Sequence, residues 1–170
     1  MADKFFYIFS YGSNLYLNRI FNRTKSVVVI DTHELIGFKL TFNKKSSDGS
    51  NKANITETED PNDSVWGVIH RLDLSEKLIL DQYEGLGYGY NYQKFSLSIK
   101  GDEKTIHSYM AIDQQYLEKG EPYQWYLNFV IAGTIENGFP ESYTNKLKSL
   151  LSKKDSNENR TTQNHAILIE

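Results

Sequence analysis

Apolar residues crowd positions 4–11 (KFFYIFSY) almost without a gap, the pattern of a central strand covered on both faces. The run stops at Gly12-Ser13-Asn14, and helix-compatible residues resume over 15–21 (LYLNRIF). Residues 26–31 (SVVVID) are β-branched and strand-like. Over 35–43 (LIGFKLTFN), Phe38, Leu40 and Phe42 fall on one face and Lys39, Thr41 and Asn43 on the other, which predicts a half-buried strand. Two polar loops, 44–52 and 57–64, flank a short strand at 53–56, and a longer strand is expected at 65–71 (VWGVIHR).

Residues 72–84 carry the clearest helical pattern. Ser75 is placed to cap it, Leu74 and Ile79 to staple across the cap, and Gly85 to stop it. Residues 92–100 (YQKFSLSIK) and 104–112 (KTIHSYMAI) alternate and flank Gly101-Asp102-Glu103, so they read as a hairpin. Residues 123–132 and 141–151 then read as helices. The stretch 152–164 is polar and reads as a loose tail, ending in an apolar patch at 166–169. Strands in succession with a few helices between them describe an α+β fold. No repeat or interdomain linker interrupts it, so the chain divides into one domain, 1–151, and a tail, 152–170, with 166–169 free to add a strand or dock on a second copy as a homodimer.

Composition narrows the function classes. The balance is acidic, with net charge −3 and pI near 5.8, and no basic run offers the footprint of a nucleic-acid binder. No segment approaches the roughly 20 apolar residues that span a bilayer, and the N-terminus lacks a small-residue cleavage site. There is no cysteine, which removes disulfides and thiol chemistry. A soluble, cytoplasmic protein is expected, with no nucleic-acid or membrane partner. The four histidines, at 33, 70, 107 and 165, have no paired ligand spacing, so no metal site is read. Tyrosine is abundant, 12 against 9 phenylalanines and 2 tryptophans, which suits a pocket with apolar walls and hydroxyl tips.

Two places offer chemistry. The YGSN join lacks the second glycine and the Gly-Lys-Ser/Thr of a P-loop, and it is not a nucleophile elbow. It can be a plain turn with Asn14 capping the next helix, or a cradle whose amides favour a carboxylate or phosphate. The second place is LDQYEG, residues 80–85. Glu84 ends a helix, where the dipole disfavours an anion; enclosed by tyrosines it would suit proton transfer near neutral pH. Asp81, one turn earlier, is the other candidate acid. Tyr88, Tyr90, Tyr92, Tyr109 and Tyr126 are candidate walls.

Taken together, these segments resemble the γ-glutamylcyclotransferase family. FSYGSNL (9–15) is similar to its opening motif, LIGFKLTFN (35–43) to the following strand, VWGVIHRLDLSEKLILDQYEG (65–85) to the segment ending in the catalytic glutamate, and HSYMAI (107–112) and ENGFPESYTNKL (136–147) to its C-terminal half. The resemblance implies a compact mixed β-barrel flanked by helices over residues 1–151. It implies cleavage of a γ-glutamyl amide by the substrate's own α-amine, giving 5-oxoproline and a free amine, with no cofactor. By position it implies Glu84 as the proton carrier, with Tyr11, Gly12, Ser13, Asn14, Leu15, Tyr92, Tyr109 and Tyr126 around the substrate. Tyr90 is the alternative to Tyr92. The leaving group stays open between an amino acid and an amine. Intact glutathione is disfavoured because glutathione-specific relatives resemble YGSL, not YGSN, here. A non-catalytic module binding a small metabolite is the rival from another class.

Overall fold

The computed structural model describes residues 4–169; residues 1–3 and 170, the outer ends of the domain and tail anticipated above, lie outside it. Among the described residues the strands are β1 (Phe5–Ser10), β2 (Val28–Ile36), β3 (Phe38–Lys45), β4 (Asn51–Glu57), β5 (Ser64–Asp73), β6 (Asn91–Ile99) and β7 (Asp102–Met110). The α-helices are α1 (Leu17–Phe21), α2 (Lys77–Glu84), α3 (Gln124–Glu136), α4 (Glu141–Lys148) and α5 (Glu158–Ile169). Five strands form one sheet in the order β2-β5-β1-β7-β6, and β3 pairs with β4 in a separate two-stranded ladder. The β1–β7 pairing is parallel and the others are antiparallel. The apolar run therefore became the central strand that its continuity predicts.

The hairpin curls over the sheet because Asn54 stitches it to the end of β7. Its Nδ2 donates to the Ala111 carbonyl at 2.9 Å, and its Oδ1 accepts from the Ala111 amide at 2.9 Å. The enclosed space is filled by α3, which is apolar on nearly every side and accordingly buried through Trp125, Leu127, Phe129 and Val130. The result is a mixed α+β half-barrel with helices against it. The close approach of α3 to the chain after β1 depends on Gly133. A Cβ there would come 2.3 Å from Leu15 Cβ and 2.6 Å from the Leu15 carbonyl carbon. Asn137 locks the same contact by donating to the Leu15 carbonyl at 2.9 Å.

Three local expectations are corrected. Residues 72–73 still belong to β5, a 3-10 turn spans Leu74–Glu76, and α2 begins only at Lys77 with no side-chain cap. Ser75 does not cap, because it lies inside the 3-10 turn and Glu76 takes the N-cap position; the Glu76 carboxylate accepts the Ser26 amide at 2.8 Å and the Lys25 amide at 3.0 Å. Leu74 and Ile79 remain exposed and form no staple. The helix stop at Gly85 is as expected: φ is +67°, a conformation that glycine adopts without a Cβ penalty.

The β6–β7 turn falls on Lys100 and Gly101, with φ of +53° and +90°, one residue earlier than the Gly-Asp-Glu reading. Two consecutive left-handed residues suit the twist of a tight hairpin.

The tail is neither loose nor a strand. Residues 158–169 form α5, anchored by Asp155, which accepts Trp125 Nε1 at 2.9 Å and Arg160 Nε at 2.6 Å. The Arg160 guanidinium holds the Asp155 carboxyl well below the usual carboxylate range, against the opposing effect of burial. Ile167 and Leu168, from the apolar patch, pack on this chain's own core.

Candidate active site

β1 delivers the chain to the middle of the sheet, and residues 13–15 then form one tight 3-10 turn. The Leu15 amide donates to the Gly12 carbonyl at 3.0 Å and the Tyr16 amide to the Ser13 carbonyl at 3.4 Å. The amides preceding these lie ahead of the first turn, where helical backbone leaves donors without intrahelical partners. Ser13 and Asn14 are buried despite their polarity, because α3 seats directly on the turn through Gly133.

Glu84, the last residue of α2, reaches this turn. Asn14 Nδ2 donates to Glu84 Oε1 at 2.8 Å. Arg23, just beyond α1, donates through Nη1 to the same oxygen at 2.5 Å and to Asn14 Oδ1 at 2.9 Å. Both ion-pair side chains are largely buried, at 14% and 16% exposure. In these bonds Oε1 does all the accepting; no group among the described residues donates to Oε2 in the hydrogen-bond network. The expected tyrosine enclosure is thus accompanied by a cation. Nothing in the local spelling announces Arg23, which lies nine positions from Asn14 and sixty-one from Glu84.

The tyrosines divide. Tyr11, Tyr90, Tyr109 and Tyr126 line one small cavity together with Gly12, Ser13, Asn14 and Glu84. Tyr90 donates to the Ala53 carbonyl at 2.6 Å, and the Tyr126 hydroxyl accepts the Ala53 amide at 3.1 Å. The Tyr11 hydroxyl donates to the Tyr109 carbonyl. Burial first of all raises the pKa of Tyr11, Tyr90 and Tyr126, so these hydroxyls stay neutral and cannot serve as bases near neutral pH.

Tyr92 and Leu15 lie outside the lining. Leu15 is core, pressed on Gly133. Tyr92 is the cross-strand partner of Tyr109, and both hydroxyls donate to Asp81 Oδ1. Tyr90 enters the cavity because residues 85–90 form a closed loop, with the Gly87 amide donating to the Tyr90 carbonyl at 2.8 Å. Tyr88 points to solvent.

The comparisons with known proteins bear on this arrangement. The model of the AIG2-like family matches residues 64–147, which include α2 and Glu84. The mouse protein named gamma-glutamylcyclotransferase is 35% identical over 154 residues, spanning 88% of this chain and 80% of its own length. This chain belongs to the γ-glutamylcyclotransferase family. The human protein of that name is 32% identical over 154 residues, covering 87% of this chain and 80% of its own. A solved structure described as gamma-glutamyl cyclotransferase superposes with a TM-score of 0.81 at 29% identity, over 98% of this chain and 99% of that one.

Within this γ-glutamylcyclotransferase-family fold, Glu84 is, among the described residues, the one carboxylate lining the cavity. The cavity volume is about 40 Å³, well under the roughly 300 Å³ at which ligand pockets begin. A larger cleft of about 860 Å³ lies elsewhere, beside β3, α4 and residues 119–122. It contains none of the candidate residues and is not the site of their chemistry. Among the described residues no group of three His, Asp or Glu side chains gathers as a metal site. His70 is buried against Ser10, Nδ1 to Oγ 3.0 Å, and burial pushes its pKa down to about 3.

Proposed function

We propose that this chain is a γ-glutamyl cyclotransferase that cleaves γ-glutamyl amino acids or amines without water. The observation that carries the reading is the meeting of Glu84 with Asn14 at 2.8 Å inside a tyrosine-walled cavity. The two candidates recognised separately in the sequence are one site.

The roles follow from charge. Gly12, Ser13 and Asn14 hold the substrate's α-carboxylate through turn amides and the Asn14 side chain, which suit an anion. The α-amine nitrogen then faces the γ-carbonyl carbon of its own molecule. A new N–C bond closes a five-membered ring, and the bond from that carbon to the leaving nitrogen breaks. Glu84 takes a proton from the α-amine and returns one to the leaving amine, so the products are 5-oxoproline and a free amine with every atom of the substrate accounted for. Ring closure is intramolecular, and the enzyme's share is to hold a folded conformer and move protons. Arg23 keeps Glu84 Oε1 fixed while Oε2 faces the reaction. The same reading makes it a cytoplasmic enzyme of dissolved metabolites; among the described residues no helix is long and apolar enough to cross a membrane.

The test is to incubate the purified protein with a panel of γ-glutamyl dipeptides and γ-glutamyl amines and to assay 5-oxoproline. Product is expected from at least one of them, and none from any would sink the proposal. A substrate with its α-carboxylate amidated should bind at least tenfold more weakly, on the scale of losing charge-assisted hydrogen bonds. Equal affinity would remove Gly12–Asn14 from the anchoring role.

A further inference from the structure

Lys44 stands behind one wall of the cavity, against Tyr90. Its backbone is held from two sides, pairing with Lys52 across the β3–β4 hairpin and bridging to Leu117. From there the side chain crosses to the loop after α2. Its Nζ lies 4.9 Å from the centroid of Tyr90, the ring that walls the cavity. The stem passes so near Gly89 that a Cβ there would come 2.7 Å from Lys44 Cε and 2.9 Å from Nζ.

The neighbouring lysines are paired, and Lys44 is not. Lys45 meets Glu118 at 3.6 Å and Lys52 meets Asp48 at 2.7 Å. Among the described residues no carboxylate comes within ion-pair distance of the half-buried Lys44 ammonium. Burial pulls its pKa down, while the Glu84 and Asp48 carboxylates pull the other way. The Lys44 charge therefore feels the reacting site without being neutralised by it. A cation removed from water and left unpaired is unfavourable, and the Tyr90 face compensates only in part. An anion arriving beside it would gain a charge-assisted hydrogen bond.

Two parts of a γ-glutamyl substrate can carry a carboxylate. The glutamyl α-carboxylate is assigned above to residues 12–14. Beyond the scissile amide lies the leaving amine, which carries its own carboxylate only when it is an amino acid. We propose that Lys44 binds that second carboxylate, so that the chain selects γ-glutamyl amino acids over γ-glutamyl amines lacking an acid. This rests on the cyclotransferase reading and adds to it the residue that senses the leaving group.

The test compares γ-glutamyl-L-alanine with γ-glutamyl ethylamide, which is the same compound with the leaving carboxylate replaced by hydrogen. The kcat/KM of each is measured on the full chain for the wild type, Lys44→Gln and Lys44→Arg. The wild type should prefer the dipeptide, and Lys44→Gln should lower the preference ratio roughly tenfold to a hundredfold. Lys44→Arg should keep most of the ratio, because it keeps the charge. A Lys44 that merely props Tyr90 would lower both substrates alike, and an unchanged ratio in Lys44→Gln overturns the proposal while 5-oxoproline formation leaves the cyclotransferase reading standing. No 5-oxoproline from either substrate with the wild type overturns the Lys44 proposal, and the wider panel then decides the cyclotransferase reading.

Discussion

Helix α2 carries two acids one turn apart, Asp81 and Glu84, and both meet a cation and tyrosines. The sequence offered each as the proton carrier. The difference lies in how many of their oxygens are occupied. Asp81 Oδ1 accepts the Tyr109 hydroxyl at 2.6 Å and also that of Tyr92, while Oδ2 is 2.8 Å from Lys77 Nζ. Burial works against the Asp81 charge, yet Lys77, Tyr109 and Tyr92 together hold its carboxyl below the usual range. Glu84 instead receives Asn14 and Arg23 on one oxygen, and among the described residues nothing donates to the other. A saturated carboxylate binds elements together; one with a spare oxygen in a cavity can exchange a proton. Asp81 joins α2 to β6 and β7, whereas under the proposed function Glu84 joins α2 to the substrate.

The largest break in this comparison should come from paired isosteric substitutions. Glu84→Gln keeps the shape and one acceptor but cannot take a proton. Its rate of 5-oxoproline release should fall by about 10²- to 10⁴-fold, the usual worth of a general base, and its melting temperature should fall as well, because the largely buried Arg23 guanidinium loses its carboxylate. Asp81→Asn should act on stability alone. It retains activity within about tenfold and loses roughly 1–3 kcal/mol of stability, which is a fall of about 2–4 °C in Tm for each kcal/mol in a chain of this size. Equal loss of turnover in both variants would erase the proposed division of labour.

This division was only half legible in the sequence. Glu84's place at the end of a helix could be read because Gly85 marks the stop, and β1 could be read because its apolar run is continuous. Both are local signals. Arg23 was invisible because its pairing with Glu84 spans sixty-one positions and follows no period. Tyr92 looked like the pocket tyrosine because it opens a strand, but strand pairing turns it onto Tyr109 and Asp81. Tyr90 reaches the cavity through a closed loop whose path depends on three glycines at positive φ, Gly85, Gly87 and Gly89. The tail misled for a different reason. Its anchors are polar, with Asp155 accepting from Trp125 and Arg160, and Asn164 accepting from Arg19, and polar composition reads as solvent exposure until the partners are known.

The two tyrosines sharpen the comparison at smaller scale. Tyr90→Phe removes a hydroxyl that donates to the Ala53 carbonyl beside the cavity, and should lower kcat/KM by about tenfold, as expected when a positioned wall loosens. Tyr92→Phe removes one of the two hydroxyls on Asp81 Oδ1. It should cost about 1 kcal/mol of stability, the net worth of one hydrogen bond, and leave kcat/KM within a factor of about three. The measurement is steady-state kinetics beside urea denaturation for each variant. Greater catalytic damage from Tyr92→Phe than from Tyr90→Phe would return Tyr92 to the pocket and reject the assignment made from the cavity lining.

The smallest effect is a pH dependence that belongs to Asp81. Its folded pKa lies below the unfolded value, so the unfolded chain binds the extra proton as acid is added. The stabilisation is fully present above the unfolded carboxylate pKa of about 3.9 and is lost as pH falls toward the folded value. Wild-type stability in urea should therefore drop more steeply from about pH 5 to pH 3 than that of Asp81→Asn, which has no proton to take up at this position. Other depressed carboxyls, including Asp155, contribute equally to both proteins and cancel in the difference. Parallel stability curves across that interval would mean that Lys77, Tyr92 and Tyr109 do not favour the Asp81 anion in the folded chain. The contrast between a saturated and an available carboxylate would then lose its energetic basis.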